Sequence, residues 1–382
     1  MHLVMKRIQL LSAFSALLFS SHTLAEETTD VSTDKESSFK TIAIPFYDPS
    51  VGAGASLVPL YSFYSSDEET SPSTLSATLT YTESQSYSVR GNTDILLDRF
   101  RIVTDFGYNY SNIDVQLLEQ LKTVATTQKE INFFGDVYYS LTDDLYIGLG
   151  INFTANSYIG ETNRDRLLLG VSGFTEDYQT DIGLKLSVLF DKREHYYYPY
   201  SGYMFEATYE DHAKWLGNDG DKTYSLMTTD YRHYRSLVDE NNHILATRWL
   251  NRYLFDADNA PASALSTYGR QGRDVQRGFI VGDYVPAANL TSLEMEYRYT
   301  PLNTGNERLD RLTYVALGGI GKSFGRQALG PEKSFSESDT LSMVGVGLRY
   351  RVMRKERINV RMDVTYNNDG DWLAYFSLGE NI

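Results

Sequence analysis

Asp274-Val275-Gln276-Arg277-Gly278-Phe279, a short irregular passage, then Leu290-Thr291-Ser292-Leu293-Glu294-Met295-Glu296-Tyr297-Arg298-Tyr299-Thr300-Pro301: the passage opens as a loop and closes as a strand. Leu293, Met295, Tyr297 and Tyr299 fall on one face, and Glu294, Glu296, Arg298 and Thr300 on the other. That is the period-two pattern of a strand between two unlike surroundings. In the loop, Gly278 permits a sharp backbone path and Arg277 offers a rigid, permanently charged fork. The two halves are expected to meet through a charge pair inside a barrel.

Outward from here the same alternation recurs in segments of about ten residues, the length a tilted membrane-spanning strand needs. Leu75, Ala77, Leu79 and Tyr81 alternate with Ser76, Thr78, Thr80 and Thr82. Ile182, Leu184, Leu186, Val188 and Phe190 enclose Gly183, Lys185 and Ser187, and Ile358, Val360, Met362, Val364 and Tyr366 enclose Asn359, Arg361, Asp363 and Thr365. A lipid-facing Arg near mid-membrane costs about 2 to 4 kcal/mol. Arg361, Arg349 and Arg351 are therefore expected to look inward, while Val346, Leu348, Tyr350 and Val352 meet lipid. Single-chain barrels of this kind have an even strand number and short periplasmic turns. Residues 141–144, 238–242 and 355–356 fit such turns, and 111–129, 157–177, 211–221, 255–289 and 325–338 fit extracellular loops. The phase closes only if residues 40–47 also form a strand, hairpinned through 48–51 into 53–64. The fold class is all-β, a 16-stranded antiparallel transmembrane β-barrel.

Residues 1–25 have the layout of a secretory signal: Lys6 and Arg7, an apolar run over 8–21, then Thr23 and Ala25 as small residues before a cleavage site. That run is too short to cross a bilayer, and nothing later approaches the roughly 18 to 20 apolar residues of a membrane helix. Residues 26–39 are acidic and hydroxyl-rich, a short solvated tail, which leaves 40–382 for the barrel. The 30 Tyr and 18 Phe call for aromatic girdles at the two membrane interfaces. With no Cys, an exported chain must draw its stability from a closed hydrogen-bond network or a large core. Loss of Lys6 and Arg7 with the signal takes the formal charge from -15 to -17, so nucleic acid is not an expected partner. The six His show no metal-ligand spacing, and neither metal nor cofactor is expected. A soluble β-sandwich also alternates, but the signal, the tyrosines and the regular succession of short and long connections argue against it.

Gln276-Arg277-Gly278-Phe279, followed by Glu296-Tyr297-Arg298 on the next strand, resembles the loop signature of the BamA-type insertase and two-partner-secretion transporter superfamily, the bacterial surface antigen family. Asp191-Lys192-Arg193 with Pro199 and Gly202 is similar to that family's periplasmic turn motif, and residues 345–380 resemble its last three strands. The likeness covers most of the chain after Asp177; the first half matches in layout. Each motif alone is weakly specific, and the ordered set is more so. The resemblance implies that the loop folds into the lumen and that Arg277 bonds Glu296, with Glu294 and Arg298 beside it on the barrel wall. A solvated Arg on an outer loop is the alternative. The departures are Gln276 in place of Val, Glu194 in place of the turn's second Asp, and Ala316 where the family often has another lumenal Asp. The chain also ends Glu380-Asn381-Ile382 without a terminal aromatic. Residues 26–39 are too few for the periplasmic POTRA modules of many members, so the chain resembles a single-barrel branch.

Protein or lipid translocation, or membrane biogenesis, in the outer membrane of a Gram-negative bacterium is the function so implied. Membrane lipid and a protein or lipid cargo are the expected partners, with oligomeric state open. The first and last strands, 41–47 and 372–378, would form a seam that opens sideways; Pro45 and Pro49 favour this by removing ladder donors, though they equally suit a plain strand end and hairpin. The alternative is a passive solute pore lined by Arg101, Asp105, Arg248, Arg252, Glu294, Glu296, Arg349, Arg361 and Asp363. An enzyme is not expected. His195, His212, His233 and His243 could act as bases, but Gly170-Val171-Ser172-Gly173 and Gly54-Ala55-Ser56 both miss the spacing of a serine nucleophile elbow.

Overall fold

In the computed structural model, which describes residues 37–48, 50–65, 72–118, 123–218, 223–269, 276–280, 284–354, 357–380 and 382, sixteen strands follow one another in chain order around one antiparallel sheet. They are β1 (Ser38–Asp48), β2 (Gly52–Phe63), β3 (Ser73–Thr82), β4 (Tyr87–Leu97), β5 (Phe100–Val115), β6 (Val124–Ser140), β7 (Leu145–Gly160) and β8 (Gln179–Asp191). The second half comprises β9 (Gly202–His212), β10 (Tyr224–Ser236), β11 (His243–Phe255), β12 (Ala287–Tyr299), β13 (Leu312–Gln327), β14 (Leu341–Met353), β15 (Ile358–Asn367) and β16 (Trp372–Leu378). β1 and β16 lie side by side, so the sheet curls into a nearly closed barrel. The signal assigned to residues 1–25, and the tail as far as 36, lie outside the described residues. The barrel begins slightly before residue 40, since Ser38 and Phe39 already pair with Ser62 and Tyr61.

Alternation places the faces as the residue pattern requires. Leu149 and Val346 are 65% and 64% exposed in mid-strand, whereas Glu296 and Arg349 are 0% exposed. A water-soluble sheet would invert this; a barrel in lipid has its apolar face outside and its charges within. Outward aromatics gather at both ends of the strands. Phe100 with Tyr139, Phe190 with Tyr203 and Tyr299 with Tyr314 mark the short-turn end, and Tyr87 with Tyr110 and Tyr366 with Trp372 mark the other.

Several long connections are shorter than the residue pattern suggests. β5 and β6 run to 16 and 17 residues, so the expected loop 111–129 shrinks to 116–123, the strands continuing beyond the length that lipid demands. Within 157–177 the chain forms a helix, α1 (Asn163–Val171), which strand periodicity gives no means of anticipating. Thr162 and Asp165 close a reciprocal capping box at its start. Its Leu169 packs with Val115, Leu117, Val124, Tyr158 and Phe174, and with Ala262 from the β11–β12 connection. The long-loop end of the barrel is thus partly roofed.

Candidate functional site

The β11–β12 connection turns inward, and Arg277 sits at the centre of what it meets. Its backbone N–H donates to Glu294 Oε1 at 2.6 Å and its Nη2 lies 3.0 Å from Glu294 Oε2. Nη2 is also 2.5 Å from Glu296 Oε1, and Nη1 is 2.8 Å from Asp363 Oδ2. The expected contact with Glu296 is present, as one of three. Alternation on β12 supplies the first two acids from adjacent inward positions; the third comes from β15, 86 residues away.

Around this centre the charges interlock. Arg298 Nε donates to Glu296 Oε2 at 2.7 Å, and Arg349 reaches Glu296, Asp363 and Glu380 at 3.2, 2.5 and 2.8 Å. Arg361 Nε lies 3.5 Å from Asp363 Oδ2 and donates to Ser377 Oγ at 3.1 Å. Arg277, Arg298, Arg349 and Arg361 therefore face Glu294, Glu296, Asp363 and Glu380, equal in number and all buried. Balance is the condition for such a cluster, because an unpaired charge in a dry interior costs several kcal/mol. The planar guanidinium suits it, since its donors diverge in fixed directions.

The neighbours of Arg277 hold the loop by shape. Gly278 has φ +92°, and a Cβ there would stand 2.7 Å from Met343 Cβ, so the turn needs glycine. Tyr375 Oη accepts from Gly278 N–H at 3.1 Å, and Asn367 Nδ2 donates to Gly278 O at 2.9 Å. Phe279, 1% exposed, meets Tyr268 and Tyr284 edge-on. Gln276 is buried and accepts from Tyr268 Oη and Ser292 Oγ at 3.2 and 3.1 Å. Ala316 points outward, so it is not a lumenal position, and the third carboxylate on Arg277 comes from Asp363 on β15. Asp363 is recognisable as an inward acid from alternation, but its place beside Arg277 depends on how the strands stagger.

The second motif lies apart from this centre, in the turn between β8 and β9. Arg193 grips Asp191 with a two-pronged pair, Nε to Oδ1 at 2.8 Å and Nη2 to Oδ2 at 2.6 Å. Gly202 has φ +100° and a Cβ would be 2.1 Å from Lys192 O. Glu194 accepts from Tyr200 N–H at 2.9 Å and so closes the turn, and Pro199 is buried within it. The histidines serve local contacts. His212 bridges Asp181 and Glu210, His243 bonds Tyr297 Oη, and His195 Nδ1 accepts from Tyr197 N–H. Among the described residues no group of three or more His, Asp or Glu is placed to hold a metal ion.

No protein-family model matches the chain, and no curated protein matches it. Solved structures do. BamA from Haemophilus ducreyi lacking POTRA domains 1–3 aligns over 91% of this chain and 70% of that one, with 12% identity and a TM-score of 0.57. CdiB from Acinetobacter baumannii aligns over 91% of this chain and 60% of that one, with 10% identity and a TM-score of 0.58. For CdiB from Escherichia coli the values are 89%, 62%, 11% and 0.58. At these identities the fold is what is shared: the chain has the barrel of BamA and CdiB, and spans about three fifths of the length of the CdiB chains.

Proposed function

We propose that this barrel, which shares its fold with BamA and CdiB, works in the outer membrane of a Gram-negative bacterium, translocating or inserting a protein or lipid cargo through the seam between β1 and β16. One observation carries the proposal. Every strand from β1 to β16 is laddered to the next in the chain, yet among the described residues no ladder joins β1 to β16, although the two are adjacent. In lipid a backbone group without a partner costs several kcal/mol, so the wall parts most cheaply where the fewest backbone pairs have to be broken. β16 is the shortest strand, with 7 residues, and Pro45 on β1 lacks an N–H to donate. A cavity of about 530 Å³ lies against the inner wall from β1 to β5, between Ile44 and Arg90, and reaches Phe376 and Ser377 of β16.

The passive-pore reading has less support. Gln276, Arg277, Phe279 and Tyr268 occupy the lumen at full burial, where a diffusing solute would pass.

A disulfide engineered between β1 and β16 tests the reading, and with no native Cys the cross-link is unambiguous. In cells carrying only the locked barrel, outer-membrane integrity is expected to match that of a deletion strain and to recover on reduction. Full function of the locked form rejects lateral opening. Mass spectrometry of lipid and protein co-extracted with the unlocked barrel then identifies the cargo.

A further inference from the structure

The β8–β9 turn, residues 192–201, is longer than a hairpin requires and carries His195-Tyr196-Tyr197-Tyr198-Pro199-Tyr200. It does not hang below the barrel. Tyr197 Oη reaches Thr74 Oγ1, 3.1 Å away at the short-turn end of β3, and the Tyr196 ring lies 4.6 Å from the guanidinium of Arg101 on β5. On the other side Tyr198, 0% exposed, has Arg298 of β12 and Arg351 of β14 over its ring at 4.8 and 5.4 Å. Arg357, in the β14–β15 turn, lies 4.2 Å from the Tyr200 ring, pairs with Glu194 at 2.5 Å and donates to Tyr198 O at 3.2 Å. A turn that starts between β8 and β9 and touches β3, β5, β12 and β14 must cross the mouth of the barrel.

The strands beside the seam hold this crossing in place. Met353 and Ile358, flanking the turn that bears Arg357, pack against Leu60 of β2 and Ile42 of β1, so one cluster bridges the unladdered edge. Beyond β16, Glu380 accepts from Arg349 and Asn359, and Ile382 is buried against Tyr234 of β10 and Ala246 of β11. The oxygen of Ile382 accepts from Arg298 Nη2 at 3.0 Å. Arg298 thus touches both the turn, through Tyr198, and the residues that follow β16.

We infer that the β8–β9 turn is a gate across the short-turn mouth, latched to the seam by Arg351, Arg357 and the residues after β16, so that parting β1 from β16 also frees the gate. The nature of the contacts separates this gate from the Arg277 centre. There, short ion pairs converge in a dry interior and are costly to break; here cations over rings, individually modest and tolerant of sliding, are joined by the part-exposed Arg357–Glu194 pair, which solvent weakens. The tyrosine turn is accordingly the closure that yields. The inference rests on the seam reading for its trigger, but the gate itself stands on the turn's own contacts.

Single-channel recording of the full-length protein in planar bilayers tests both parts. Tyr198→Ala, which removes the ring under Arg298 and Arg351, and Arg357→Ala, which removes its contacts with Tyr200, Glu194 and Tyr198 O, are each expected to raise open probability about tenfold or more, while Tyr198→Phe stays at the wild-type level because the ring remains. Arg357→Glu combined with Glu194→Arg is expected to restore closure that either change alone impairs. With a β1–β16 disulfide, openings of the wild type are expected to vanish while those of Arg357→Ala persist. If both alanine variants fold, as heat-modifiable gel mobility reports, and conduct no more than the wild type, the gate is refuted whatever the seam does. If the disulfide leaves wild-type openings unchanged, the coupling is refuted while the gate stands. The seam reading fails separately, by full cellular function of the locked barrel.

Discussion

Arg277 donates in three directions at once, and that sets what its loss would do. Arg277→Ala leaves Glu294, Glu296 and Asp363 facing one another without their shared cation. Breaking a buried pair this way costs about 3 to 5 kcal/mol, so the temperature at which the folded barrel loses its compact gel mobility is expected to fall sharply. Arg277→Lys is expected to recover only part of the loss, because an ammonium cannot reproduce the divergent fork. Equal stability of the alanine variant and the wild type would remove the lock from the structure's energetics. His195, at the gate, gives a pH dependence. Burial lowers its pKa from 6.5 to about 4, helped by Arg357 of the β14–β15 turn, Arg351 of β14 and Arg193 of its own turn. The docked imidazole stays neutral where a released one would take up a proton, so docking weakens as pH falls from about 6.5 towards 4 and is unaffected above neutrality. Protease cleavage within residues 192–201 is expected to accelerate below about pH 6 in the wild type and to lose that dependence in His195→Gln; identical profiles would exclude the histidine.

At the scale of elements, β12 is the most legible piece of the molecule. Its eight alternating residues from Leu293 to Thr300 already separate lipid from lumen, and the observed strand keeps both faces as assigned. α1 is the least legible, because its nine residues interrupt a period-two pattern with a segment too short to establish its own. Its stability rests on the cap and on Leu169 under the roof. Thr162→Ala is expected to cost about 1 kcal/mol locally, read as faster amide exchange over residues 163–171 with the barrel strands unchanged; loss of strand protection as well would show that the roof supports the wall.

The barrel is a tube with something across each end. The α1 roof lies toward the long-loop end, the Arg277 loop enters from that end to fill the lumen, and the tyrosine turn crosses the other end. Two closures in series predict that loss of the turn's contacts makes the small openings more frequent without enlarging them, because the Arg277 loop still fills the lumen. Deletion of residues 269–283 alone is expected to leave conductance small, and the same deletion combined with Tyr198→Ala to give a large, steady current. A large current from the single deletion would mean that the turn does not seal.

Period-two alternation by itself determined which residues of each strand face lipid and which the lumen, because each residue's side depends only on its neighbours in the chain; the barrel architecture followed once the signal, the tyrosines and the succession of short and long connections were added. The pairing of Arg277 with Glu296 was foreseeable only through the resemblance of the loop and strand motifs, whose residues lie 19 positions apart. The partnership of Arg277 with Asp363, the course of Tyr198 between Arg298 and Arg351, and the lack, among the described residues, of a ladder between β1 and β16 were decided by the tertiary structure. Each brings together residues distant in sequence, at a height set by the stagger of sixteen strands around the barrel, and no local pattern encodes that stagger.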